Sequence, residues 1–518
     1  MRRVNRLARS AASLAVVLAA CGEDLGVPMP LPPAIAAAVR VSGASPFAPG
    51  CGAGATAGTR YADSEVEPHL AIHPANPDHL VAAWQQDRWS NGGADGLVAA
   101  ASLDGGATWT LAALPFSSCG GGAAPGGDYE RATDPWVSFS SDGAVVHAVG
   151  LAFDRSSPRA AIVTTRSTDG GLTWAPAIAL AADADRDVAL DKPTITADPG
   201  RAGYVYAVWD RLTGLTAADP ATSTGPAWLV RSTDGGLTWE VPRVLHDPGP
   251  NAQTISSQIV VLPDGALVNV FVRILGTSAD RPTMDVVAMR SDDAGATWSD
   301  PGVVGALRAI GAVDPKDGHP IRAGEVVPSS SADGDGRIWV AWQDARFSGG
   351  ARDGIALAVS GDGGASWSAP VQVNRAPLVQ AFRPAVAAGA GGAVAVTYYD
   401  LRFDVEGDRE RTWATAWRAT TADGGATWAE APEGGPFDLR TAPDAGGWFV
   451  GDYTGVVPRR GGFTALFSMA RSALGDGTDA FASGSALPVA APPARAQWNA
   501  RPAPLADRVR ATREILPR

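Results

Sequence analysis

Short apolar runs recur in pairs along the chain, each pair split by a polar turn: 69–73 with 80–84, 136–139 with 145–151, 194–197 with 204–209, 259–262 with 267–272, 326–328 with 338–342, and 385–388 with 393–398. Their length, their Val, Ile and aromatic content and their bounding turn residues predict strands. Helical periodicity is scarce. A third run follows every pair and enters a polar turn, and a fourth leaves that turn at a tryptophan. Four strands per unit, repeated, predict an all-β repeat architecture.

The turn after each third run is nearly invariant, reading Ser/Thr-x-Asp-x-Gly-x-Thr/Ser-Trp at 102–109, 167–174, 232–239, 291–298, 360–367 and 421–428. Successive tryptophans lie 59 to 69 residues apart. A short carboxylate accepts backbone N–H groups from residues just ahead of it, and glycine adopts the left-handed conformation that a tight corner requires. The tryptophan then returns to the core with a large apolar ring. Recurrence in every unit marks Asp104, Asp169, Asp234, Asp293, Asp362 and Asp423 as turn formers and not catalytic acids.

These six turns resemble the Asp-box, or bacterial neuraminidase repeat, of the sialidase-like β-propeller superfamily, over residues 39–487. The resemblance implies an all-β Asp-box propeller. After the sixth box another strand pair appears at 453–457 and 463–467, with 480–483 as a third strand, and no box follows. Residues 39–42 are then expected to supply the missing fourth strand, closing seven four-stranded blades and covering an exposed edge. The alternative is six blades plus a cap. The superfamily includes sialidases, xyloglucan hydrolases and non-enzymatic receptors, so the resemblance implies either a glycan-binding or glycan-hydrolysing protein of exo-α-sialidase type or a non-catalytic scaffold for protein or envelope polymer.

Blade topology puts the boxes on one face and sends the blade-to-blade links to the other, where the resemblance places the binding site. Residues just ahead of the first strands differ from blade to blade, as a reaction centre requires: Glu67, Asp134, Lys192, Gln258, Glu325, Arg383 and Asp452 with Tyr453. Facing carboxylates there suit glycoside hydrolysis. Arg383 is the candidate for a substrate carboxylate, helped by Arg131 or by an arginine of a repeated Asp/Arg set: Asp87-Arg88, Asp154-Arg155, Asp210-Arg211, Asp344-Ala345-Arg346 and Asp400-Leu401-Arg402. Lys192, Arg346 and Arg402 complete the substrate-binding candidates, although repetition of the Asp/Arg set also fits structural ion pairs. Sialidases use an arginine triad, a tyrosine nucleophile activated by glutamate, and an aspartate acid. Carried over, this makes Tyr453 and Glu325 the candidate nucleophile pair, with Glu67 and Asp134 as further catalytic candidates. Phe382-Arg383-Pro384 is similar to the family's Phe/Tyr-Arg-Ile-Pro motif, without the isoleucine and ahead of the sixth blade.

Residues 1–20 read as an export signal, with four arginines followed by a short apolar stretch, and Leu18-Ala19-Ala20-Cys21 resembles a bacterial lipobox. Cys21 is the expected lipidation site, residues 21–38 a Pro-rich tether and residues 488–518 a Pro/Arg-rich tail. Export would leave the protein lipid-anchored outside the cytoplasm, at the outer membrane or cell surface, with lipid as its only membrane attachment. Cys51 and Cys119 are then a natural disulfide in an oxidising compartment, or two buried thiols. The formal net charge of −12 disfavours nucleic acid, and a monomer acting on carbohydrate or a surface protein is expected. No cofactor is called for. Asp183, Asp185 and Asp187 alternate as in a calcium loop but lack its central glycine and terminal glutamate, so they also read as a solvated acidic loop.

Overall fold

The computed structural model describes residues 38–52, 57–471 and 477–484. The expected leader, Cys21, nearly all of the tether and the tail lie outside the described residues. Among the described residues no helix is long and apolar enough to cross a membrane.

Strands dominate, paired mostly antiparallel in consecutive meanders; Ala94↔Ala132 joins the first two into one sheet, and the short strand Thr224–Gly225, parallel to Ala252 and Gln253, joins the third and fourth. The first comprises Arg60–Ile72, Leu80–Trp89, Ala94–Ser102 and Thr110–Leu114, and the second Arg131–Phe139, Val146–Phe153, Ala160–Ser167 and Ile178–Asp183. The third is Val188–Ala197, Val205–Thr213, Ala227–Ser232 and Arg243–His246, and the fourth Ala252–Val261, Leu267–Leu275, Thr283–Ser291 and Gly302–Ala306. The fifth is Ser329–Ala332, Ile338–Asp344, Gly354–Ser360 and Val371–Gln372, and the sixth Ala381–Ala388, Val394–Asp400, Trp413–Thr421 and Ala429–Asp438. In the last set Gly455–Arg459, Gly462–Ala470 and Thr478–Ser483 pair in order, and Val39–Arg40 pairs outside Thr478–Ser483 through Val39↔Ala482 and Arg40↔Phe481.

Two boundaries differ from the sequence expectation for a physical reason. First strands extend into polar sequence, as in Arg60–Ile72, where the polar residues Ser64, Glu65 and Glu67 are buried instead of facing water. In the fifth meander the first strand is Ser329–Ala332, not 326–328, since Val327 closes a turn on Gly324 and Pro328 has no N–H to donate to a ladder.

Apolar clusters lie between neighbouring meanders. Val149 and Ile162 of the second pack with Ile195, Val205 and Trp209 of the third. Val268 and Val270 of the fourth pack with Ile338 and Trp342 of the fifth. Leu80 and Trp84 of the first share a cluster with Val41, Val457, Leu466 and Ala480. Each box stitches its meander to the one before. In the third, Asp234 Oδ1 accepts from Ser232 Oγ at 2.8 Å and Thr238 N at 2.9 Å, and Oδ2 accepts from Thr238 Oγ1 at 2.6 Å. These donors, led by the threonine hydroxyl, pull the Asp234 carboxyl down to about 2. The turn's carbonyls are then free to accept from outside: Arg166 donates to Gly235 O at 3.1 Å, Arg231 to Ala294 O at 2.8 Å and Arg290 to Gly363 O at 3.1 Å. Arg459 of the last set donates to Gly105 O of the first box at 2.8 Å. Cys51 and Cys119 form a disulfide with Cα atoms 5.6 Å apart.

A small separate sheet joins Ala312–Val313, Pro320–Arg322 and Trp448–Phe449, with Ile321↔Trp448 and Arg322↔Phe449 in parallel register. It comes from the links before the fifth meander and before the last set.

Candidate functional site

First strands of five meanders break register at the same place, between Val66/His69, Thr133/Trp136, Asp191/Thr194, Ile255/Gln258 and Phe382/Ala385. The extra residue adopts a left-handed backbone: Glu67 (φ 55°), Asp134 (54°), Lys192 (47°), Ser256 (63°) and Arg383 (52°). A side-chain-bearing residue in this region costs on the order of 1–3 kcal/mol, and such positions gather at functional sites. In four of the five the next residue is proline, Pro68, Pro135, Pro193 and Pro384, which asks for no ladder hydrogen bond. In the fourth meander the equivalent residue is Ser256, not Gln258. The Gln258 amide instead donates to Pro328 O at 2.7 Å, linking the fourth meander to the fifth.

Three of these bulges, with Asp452 from the link before the last strands, bring four charged side chains together. Lys192 Nζ lies 2.8 Å from Asp134 Oδ1, 2.8 Å from Asp452 Oδ2 and 3.9 Å from Glu67 Oε1. All four residues are buried. Arg322 grips Asp452 from the small sheet, with Nη2 to Oδ2 at 2.7 Å and Nε to Oδ1 at 3.1 Å. Gln85 donates to Glu67, and Arg88 Nη1 donates to Gln85 Oε1 at 2.6 Å. Phe449 sits between two guanidinium groups, its ring centre 4.6 Å from Arg88 Cζ and 4.3 Å from Arg322 Cζ. The small sheet thus lies against the charged centre.

Burial and partners divide the acids. Burial raises the Glu67 carboxyl to about 8 even with Lys192 alongside. Burial also acts upward on Asp452, but Arg322 and Lys192 more than offset it and hold that carboxyl well below the usual range. Lys192 loses by burial and gains more from Asp134, Asp452 and Glu67, so its ammonium is held well above its ordinary value. Burial and partner charges therefore pull the Glu67 and Asp452 carboxyls in opposite directions around one ammonium.

The remaining candidates are placed as follows. Tyr453 reaches the centre, but burial and then the Glu67 and Asp134 charges push its phenol well above 10, and its OH donates to Pro135 O at 3.0 Å. Its phenol is therefore held protonated. The charges acting on Tyr453 are led by Glu67, Asp134 and Asp452, while Glu325 acts on Asp353. Arg383 is buried, lies 4.3 Å over the Tyr399 ring and donates Nη1 to Val450 O at 2.6 Å, while its Nε and Nη2 find no hydrogen-bond partner. Arg131 donates to Asn91 Oδ1 and Gly92 O, both at 2.7 Å. Arg346 pairs with Asp344 at 2.7 Å, and Arg402 with Asp400 and Glu430, each at 2.6 Å. Those three arginines are already engaged by protein partners.

The repeated Asp/Arg set is not uniform. Arg88 leaves Asp87, which takes Arg60 at 2.9 Å, and joins the centre instead. Arg322 and Phe449 were not legible as site residues, since nothing local marks them; the nearest signal is the glycine group Gly446, Gly447 and Gly451 flanking Trp448 to Val450. In the acidic loop Asp183 binds Arg211 at 2.9 Å through both oxygens, Asp185 accepts Asp187 N, and Asp187 accepts from Gly214 and Thr216. Among the described residues no group of three or more His, Cys, Asp or Glu side chains is arranged to hold a metal ion.

No known protein family matches the sequence, and no curated protein does. Solved structures do. The polysaccharide lyase Uly1 aligns with a TM-score of 0.50 at 10% identity, over 87% of this chain and 99% of that one. The fold is a β-propeller. An α-L-arabinofuranosidase from Fusarium graminearum gives 0.45 at 13% identity over 71% and 93% of the two chains. A leech intramolecular trans-sialidase gives 0.40 at 12% identity over 79% and 89%. At such identities the propeller's likeness to these proteins is one of fold.

Proposed function

We propose that this propeller binds or processes a carboxylate-bearing glycan at the Lys192 centre, in the manner of a sialidase-like glycoside hydrolase. The observation that carries the reading is the split of Glu67 and Asp452 across one buried ammonium. A neutral carboxyl donates a proton to a departing glycosidic oxygen, and an ionised one stabilises the positive charge that develops on the sugar. The two partnerless nitrogens of buried Arg383 supply a fork for a substrate carboxylate.

The same reading takes the fold as seven four-stranded blades closed by Val39–Arg40. It is supported by the pairing of that strand with Thr478–Ser483, by the cluster shared between Leu80, Trp84, Val457 and Leu466, and by the Arg459 to Gly105 bond. Export, lipidation at Cys21 and a place at the outer membrane or cell surface belong to the proposal. Mass spectrometry of the processed N-terminus tests them.

A second reading, a non-catalytic scaffold, is favoured by one feature. The charged centre is buried beside Phe449 and its carboxylates are already matched by Lys192 and Arg322.

The deciding experiment is turnover of fluorogenic sialosides, uronides and neutral glycosides by the full chain, with Arg383→Ala and Glu67→Gln alongside. Hydrolysis of an acidic glycoside that falls at least a hundredfold in both variants supports the catalytic reading. No turnover across the panel, with folded protein, moves the assignment to the scaffold.

A further inference from the structure

On the box face, each junction between meanders is filled by the turn of the following unit. Gly171 lies against Val81 and Ala101, Gly236 against His147, Gly364 against Val268 and Gly425 against Trp339. The last set has no box. At its junction with the sixth meander a cavity of about 770 Å³ remains, in the size range of ligand pockets. It is lined by Trp428, Phe463, Pro458, Thr420 and the arginines 418, 459 and 460.

Among the described residues no carboxylate lines this groove, in a chain whose net charge is −12. Two of its arginines are already matched, Arg418 by Glu433 at 2.8 Å and Arg459 by Asp78 at 3.1 Å. Arg460 is exposed and has no ion-pair partner among the described residues. The groove therefore combines an aromatic floor, hydroxyl groups and one uncompensated guanidinium. Aromatic faces pack against the C–H faces of a pyranose, and a guanidinium fork matches a carboxylate in two parallel hydrogen bonds.

We propose that this box-less junction is a second glycan site, selective for oligosaccharides that carry uronic acid carboxylates. It stands on the opposite face from the Lys192 centre and does not depend on how that centre is read. The test is isothermal titration of the full chain with a galacturonic acid tetramer and with a neutral glucose tetramer. The wild-type chain, Arg460→Glu, Trp428→Ala and Arg186→Glu, the same charge reversal at an exposed residue outside the groove, are compared. Binding of the acidic tetramer, weakened about tenfold or more by Arg460→Glu and unchanged by Arg186→Glu, is expected. Arg460→Glu alters an exposed side chain, so it keeps the test sound if Trp428→Ala disturbs the fold. Equal binding of the neutral tetramer, indifference to Arg460→Glu or an equal loss in Arg186→Glu overturns the proposal. So does absence of binding.

Discussion

The Lys192 ammonium and the Asp452 carboxylate, 260 residues apart in sequence, meet at 2.8 Å. They tie the third meander to the link that precedes the last strands. Removing one member of a buried pair leaves an uncompensated charge, which costs about 3–5 kcal/mol. Lys192→Met is therefore expected to lower the unfolding free energy by about that much in urea titration. Adding Asp452→Asn to it should return part of the loss, because two contacting residues do not contribute independently.

Asp210 accepts from Thr254 Oγ1 at 2.6 Å and from Ser256 N at 2.9 Å, and burial raises its carboxyl to about 8. Its folded pKa lies above its unfolded value of about 3.9. Between those two values the folded chain holds the extra proton, so this group favours folding less and less as pH rises. Asp210→Asn removes the penalty. The variant should gain thermal stability relative to the wild type as pH goes from 4.5 to 8.5, and an advantage that shrinks over that range would contradict the assignment.

Much of the frame was readable in advance because its chemistry is local. The box carboxylate, its glycines and its hydroxyl act within eight residues, so the pattern alone predicts the turn. The inward-facing charges were found for a similar reason: Glu67, Asp134, Lys192 and Arg383 each stand before a proline at the head of an apolar run. Gln258 was misplaced because the fourth repeat has Ser256-Ser257 where the others have a proline. Arg322 and Phe449 could not be found at all. Their roles arise from pairing between segments more than 120 residues apart, as in the Arg322 to Asp452 bond across 130 residues, and no short-range pattern encodes such a meeting.

The Cys51–Cys119 disulfide spans a sequence separation of 68 residues. On the chain-entropy account a loop of that length contributes about 4 kcal/mol. Replacing both cysteines with serine is expected to lower stability by that order and to leave the charged centre intact. Guanidinium unfolding of the double variant measures the first, and binding at the centre the second.

Each box tryptophan belongs to a different apolar cluster, Trp239 joining Leu180, Ile195 and Trp209 and Trp298 joining Leu229 and Phe271. Trp239→Ala should cost about 3 kcal/mol, at the low end for such truncations because the ring is half-buried. Trp239→Phe should recover most of it. Equal losses in both variants would show that the indole N–H, not the ring area, matters.

The strand Val39–Arg40 hydrogen-bonds to Thr478–Ser483, near the other end of the described chain. A ribosome supplies Val39 long before its partner Ala482, which lies 443 residues on (482 − 39). The structure therefore cannot be completed piecemeal as the chain lengthens, and contacts of this sequence separation make the final step slow. Until it occurs the front of the chain is an unpaired edge open to wrong partners.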